Sequence, residues 1–122
     1  MKKANLASLM PAARLAKRNS YSPHSGFRVG ATVLADEGKI FSGTNIENSS
    51  YGLSICAERV AIFSAISSGS KNIKAIAIAC DNPKEGSRSS MMPCGACLQV
   101  MAEFAKKTMI VQIDGVGRFR LS

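Results

Sequence analysis

The sequence predicts an α/β fold, a three-layer α/β/α sandwich around a mixed sheet of about five strands. Three observations predict it. Segments of helical and strand periodicity alternate along the chain. Residues 73–80, Ile-Lys-Ala-Ile-Ala-Ile-Ala-Cys, form a continuous apolar run of strand length, which suits an inner strand covered on both faces. Asp36-Glu37-Gly38 separates two strand-like stretches and makes them a hairpin, so antiparallel pairing enters the sheet on one side.

Taken in order, residues 4–18 place Leu6, Leu9, Met10 and Ala13 at helical spacing, and predict an amphipathic helix that tolerates Pro11 near a start around Ser8. Residues 19–26 are dense in turn formers and predict a loop. The hairpin strands are expected from Phe27 to Leu34 and from Lys39 to Thr44. A polar loop over 45–54 leads to a helix over 55–68, with Ser54 as its expected N-cap and Gly69 as its end. That helix is apolar nearly all round, which predicts a buried central position. After strand 73–80 comes a polar loop over 81–92. A third helix is expected from Cys94 to Lys106, then strands at Met109–Ile113 and Gly117–Leu121.

At 122 residues the chain is expected to form one domain, 1–122, with no repeat or linker. No apolar run approaches the roughly 18 residues that cross a membrane, and the N-terminal segment lacks a signal peptide's unbroken apolar core. A cytoplasmic protein with no membrane partner is the expectation. Sixteen basic against eight acidic residues give a net charge of +8, which raises the prior for a polyanionic partner. The basic residues are scattered, however, and none is interleaved with aromatics, so a solvated basic surface is expected and nucleic acid is not.

The four cysteines carry the chemistry. Without a sign of secretion, metal or catalytic roles outweigh disulfides. Cys56 lies two residues before Glu58, and Cys94 and Cys97 form a C-x-x-C after Pro93. At a helix start the backbone N–H groups lack intrahelical partners and favour a thiolate. Two helix N-termini can then aim three thiolates at one Zn²⁺, leaving a fourth position open, as catalytic zinc requires. Three thiolates and Zn²⁺ sum to a formal −1, and Arg59 is the candidate cation to offset it by donating to a ligand sulfur. Glu58 and Cys56, two apart, can reach one site only at a helix end. His24, the single histidine, is expected at the surface, and Cys80 as a buried free thiol. A structural zinc would need Cys80 or His24 as fourth ligand, and a redox pair leaves Cys56-Ala57-Glu58 unexplained.

Cys56-Ala57-Glu58 and Pro93-Cys94-Gly95-Ala96-Cys97 match the Cys₃ variant of the zinc deaminase signature. Together with Tyr21 to Ala31, Asn45-Ile46-Glu47-Asn48, Ile55 to Ala61 and Pro93 to Phe104, they resemble the small homotetrameric cytidine deaminases of pyrimidine salvage. The resemblance covers nearly the whole chain. It implies zinc held by Cys56, Cys94 and Cys97, and Glu58 as the proton carrier. It also implies Asn45 and Glu47 on the ribose hydroxyls, Phe27 as an aromatic wall, and cytidine and deoxycytidine as substrates.

The sequence departs from the pattern twice. His24 stands where the family usually has tyrosine. The family also continues through a leucine- and proline-containing tail toward a phenylalanine that reaches a neighbour's active site, whereas this sequence stops at Ser122. The expectation is therefore a shortened chain or a pocket completed differently. The rivals are a blasticidin-type antibiotic deaminase and a nucleic-acid-editing or -binding relative. Asn45-Ile46-Glu47-Asn48 favours the cytidine branch, because a ribose needs acceptors there.

Overall fold

The computed structural model describes residues 5–81, 94–105 and 108–121. The elements in order are α1 (Leu6–Ala16), β1 (Val29–Ala35), β2 (Ile40–Thr44), α2 (Ala57–Ser67), β3 (Ile73–Cys80), α3 (Gly95–Phe104), β4 (Met109–Ile113) and β5 (Gly117–Leu121). The five strands form one sheet in the order β2-β1-β3-β4-β5. Only β3 and β4 run parallel; the other neighbours are antiparallel. The predicted mixed sandwich is the fold observed. The expected loop over 81–92 lies outside the described residues beyond Asp81, as do Pro93 and Lys106.

Helix α1 starts earlier than its periodicity suggested, because Asn5 caps it. The Asn5 side chain accepts from Ala7 N at 3.0 Å, and Ser8 completes a capping box. Its apolar face, Leu9 and Ala13, packs on Leu34, Ala75, Ala77 and Ala79. The small alanines let the helix lie close to the sheet, and Gly30 takes this furthest. A β-carbon there would collide with the Ala13 carbonyl. On the opposite face Gly43 does the same for α2, where a β-carbon would sit 2.5 Å from Ala61 N. The hairpin turns at Gly38, whose φ of 87° suits glycine.

The opposite face carries the larger core. Val33, Ile76, Ile78, Met109 and Val111 of the sheet meet Ala61, Ile62 and Ala65 of α2 and Cys97 and Met101 of α3. Strand β3 therefore faces helices on both sides, as its apolar run predicts. The rest of the α2 prediction needs correction. Only one face, Ala57, Glu58, Ala61, Ile62 and Ala65, is buried, while Phe63 is 43% exposed. A helix in an outer layer has one side away from the sheet, whatever residues it carries.

Two boundaries also move. Ile55 pairs with Ile46 through both backbone bonds, 2.9 and 3.0 Å, which keeps the chain extended up to Cys56. Cys56, with ψ of 152°, is thus the N-cap in place of Ser54, whose Oγ accepts from Asn48 N at 2.9 Å. Strand β1 begins at Val29 and not Phe27: the Arg28 N–H goes to the Asp81 carboxylate and the Phe27 carbonyl to the Asn45 side chain, in place of backbone partners. Among the described residues no helix is long and apolar enough to cross a membrane.

Candidate active site

Two helix starts converge beside the ends of β1 and β3. Cys56 caps α2, Cys94 caps α3, and Cys97 lies one turn into α3, buried. The sulfurs of Cys56 and Cys94 are 3.8 Å apart and those of Cys94 and Cys97 are 3.3 Å apart, and all three lie within 4.8 Å of one another. Tetrahedral zinc with Zn–S bonds of about 2.3 Å spaces its sulfurs by about 3.8 Å. Neither cap residue uses its side chain to cap its helix, so both thiols are left to point at the shared centre. Donor type, spacing and the exposure of Cys94 fit a zinc ion with one open position.

The electrostatics favour thiolate chemistry. Hydrogen bonding from Cys97, joined by the Arg59 guanidinium and Cys94, holds Cys56 down at about 5. Cys97 is pushed in the opposite direction, first by its bond to Cys56 and then by burial. The Arg59 Nη2 donates to Cys56 Sγ at 3.8 Å. Glu58 is 5% exposed, and burial, with the Cys56 charge adding to it, pushes its carboxyl up to about 6. It is a buried acid at a helix start, with no ion-pair partner among the described residues.

A cavity of about 530 Å³ opens in front of this cluster. Phe27, Asn45, Glu47, Cys56, Glu58 and Cys94 all line it, so residues from four separate stretches meet at one place. Arg59 lines it as well, and Cys97 stands behind Cys94. Elsewhere on its wall, Asn45 is tied to the start of β1. Its Oδ1 accepts from Val29 N at 2.9 Å and from the Ser20 hydroxyl, and its Nδ2 donates to the Phe27 carbonyl at 2.8 Å. Glu47 accepts from His24 N at 2.9 Å, Ser25 N at 3.1 Å and the Ser25 hydroxyl.

His24 is exposed and contributes only its backbone here, and Cys80 is a free, buried thiol, both as expected. Sequence reasoning missed that Cys80 lines the cavity with Val29 and Ile78. It also missed Ser20 and Ser25, which hold Asn45 and Glu47. No spacing marks them, since their partners lie more than twenty residues away.

Fold and cluster together define a zinc-binding α/β protein with a cleft sized for a small molecule. Residues 3–113 match the family described as the cytidine and deoxycytidylate deaminase zinc-binding region. The chain is 44% identical over 112 residues to a cytidine deaminase of Sporosarcina psychrophila, covering 92% of this chain and 79% of that one. It is 48% identical over 88 residues to a cytidine deaminase of Halalkalibacterium halodurans, covering 72% and 63%. A crystal structure of cytidine deaminase from Burkholderia pseudomallei superposes with a TM-score of 0.81 at 38% identity, over 97% of this chain and 92% of that one. Similarity to a blasticidin-S deaminase of Bacillus cereus is weaker, 33% over 92 residues, covering 71% and 65%. The chain belongs to the cytidine and deoxycytidylate deaminase zinc-binding family, and zinc is its cofactor.

Proposed function

We propose that this chain, as one domain, converts cytidine and deoxycytidine with water to uridine or deoxyuridine and ammonia, serving pyrimidine salvage in the cytoplasm. The observation that carries the reading is the meeting of the three cysteines with a buried Glu58 beside a cavity that Asn45 and Glu47 also line. Cys56, Cys94 and Cys97 hold the zinc. When bound, zinc supplies Lewis acidity that makes water a nucleophile near neutral pH.

Glu58 takes the proton of the attacking water and places it on N3 as C4 of the cytosine is attacked. It then takes the proton of the new C4 hydroxyl and passes it to the amino group, so that the C4–N bond breaks, the C4 carbonyl forms and ammonia leaves. A carboxyl pushed up to about 6 suits both transfers, since a proton carrier works best near the operating pH. Arg59 offsets the thiolate charge through Cys56.

Phe27 forms the aromatic wall, and Asn45 and Glu47 take the ribose hydroxyls. Hydrogen-bond capacity supports this. Asn45 Nδ2 has given one of its two N–H groups to Phe27 and keeps the other. Glu47 accepts three bonds from the 24–25 backbone and the Ser25 hydroxyl, leaving one of a carboxylate's roughly four acceptor sites. A homotetramer is supported by exposed apolar side chains: Ile46 at 43%, Tyr51 at 91%, Leu53 at 70% and Phe63 at 43%. Exposed apolar surface of this kind suits burial against further copies.

The test is the loss of ultraviolet absorbance on adding cytidine to the zinc-loaded protein, with bound metal measured. Deoxycytidine, blasticidin S and oligonucleotides are assayed alongside. Turnover of cytidine and deoxycytidine with about one zinc per chain is expected. No nucleoside turnover, together with tight salt-sensitive oligonucleotide binding, overturns the reading.

A further inference from the structure

We propose that Ser25 is a positioning residue that locks the ribose-binding carboxylate of Glu47 and the aromatic wall of Phe27 into one rigid unit. The inference rests on the ribose role given to Glu47 above.

The direction of each hydrogen bond follows from the groups involved. Phe27 N lies 3.0 Å from Ser25 Oγ, and a backbone N–H can only donate. The hydroxyl must therefore accept there, and its single proton is free for Glu47 Oε2, with which it makes a very close contact. The other carboxylate oxygen, Oε1, accepts from the consecutive backbone N–H groups of His24 at 2.9 Å and Ser25 at 3.1 Å. Both oxygens of Glu47 are thus oriented by the same short segment. The Ser25 hydroxyl also does most to hold the Glu47 carboxyl below its usual range, which keeps it an acceptor.

Glu47 and Phe27 come from segments twenty residues apart. Asn45 holds Phe27 by its carbonyl at 2.8 Å, and Ser25 holds it by its N–H. Gly26, with a φ of 70°, makes the bend that lets residue 25 bond to residue 27 while facing Glu47. His24 gives its backbone N–H to the carboxylate, a bond that any residue in its place could make.

The serine hydroxyl therefore acts on binding and not on proton transfer, which belongs to Glu58 at the other end of the cavity. Steady-state kinetics with cytidine and with 3′-deoxycytidine, on the zinc-loaded wild type, Ser25→Ala, Ser25→Thr and Glu47→Gln, test this. Losing a hydrogen bond to a charged group predicts that Ser25→Ala raises KM for cytidine about tenfold, with kcat within about twofold. The rise should be smaller with 3′-deoxycytidine, which lacks a hydroxyl for the carboxylate to hold and feels only the loosening of the Phe27 wall. Ser25→Thr, which keeps the hydroxyl, should restore the wild-type KM. A merely structural role would lower kcat or affect both substrates alike, and either result overturns the inference. So does an unchanged KM in Ser25→Ala when Glu47→Gln raises it. If Glu47→Gln leaves KM for cytidine unchanged, the ribose role of Glu47 fails, and Ser25 falls with it.

Discussion

At one end of the cleft, Cys56, Glu58 and Cys94 sit at helix starts, and Glu58 is almost wholly buried. At the other end, Asn45 and Glu47 sit in extended chain, and their side chains are held by uncharged donors, the Ser20 and Ser25 hydroxyls and backbone amides. The first end is shaped by charge: unpaired N–H groups and an arginine favour thiolates, while burial favours a protonated carboxyl. The second end is shaped by geometry, since its side chains are fixed by donors whose direction is set by the backbone. A reaction that moves protons at one point of a substrate and grips a sugar at another is suited by this division.

The contrast can be broken most sharply at Glu58. Glu58→Gln keeps the shape and the three cysteines but cannot carry a proton. Turnover of cytidine should fall by about 10² to 10⁴ or more, with zinc content unchanged by metal analysis. Near-normal turnover in that variant would remove the charged end from the reaction.

Asn45 tests whether the geometric end is scaffold as well as binding site. Asn45→Ala leaves Val29 N and the Phe27 carbonyl without their partners. Thermal or urea unfolding of the zinc-loaded protein should show a loss of about 2 kcal/mol, alongside a raised KM. A raised KM with unchanged stability would make the residue a binding group alone.

The smallest expected effect concerns Asp81, which holds the start of β1 from its other edge by accepting from Arg28 N, Nε and Nη2. The Arg28 guanidinium is the main reason its carboxyl lies below the usual range. A carboxyl lowered on folding contributes stability above its unfolded pKa and loses it as pH falls through the folded one. Asp81→Asn should slightly lower the urea midpoint at neutral pH and make stability less sensitive to acid. An identical acid profile in both proteins would show that the pair does no anchoring.

Much of this was legible beforehand, and the reason differs by region. Strands β3, β4 and β5 were read with correct ends, because apolar runs of strand length between turn residues have few other interpretations. Cys94 and Cys97 were legible as a pair because helix periodicity turns a spacing of three into a shared face, whereas Cys56, 38 residues before Cys94, joined them through the resemblance of Cys56-Ala57-Glu58 to the deaminase signature. The start of α2 was misread. Ser54 has the chemistry of a cap, but a backbone pairing between Ile46 and Ile55 keeps the chain extended past it. The apolar composition of α2 predicts burial all round, whereas its place in an outer layer leaves Phe63 exposed.

By itself the sequence determined the alternation of helices and strands, the mixed sheet, and the two motifs of the candidate zinc cluster, because local periodicity and short spacings express all of these. Tertiary structure decided which loops meet the cluster and which side chains hold them there. Ser25 reaches Glu47, and Asn45 reaches Val29 and Ser20, only because strand pairing and packing fold segments 16 to 25 residues apart onto one another. Short polar side chains in loops carry no periodicity, so their partners are set by the path of the backbone and not by the residues that flank them.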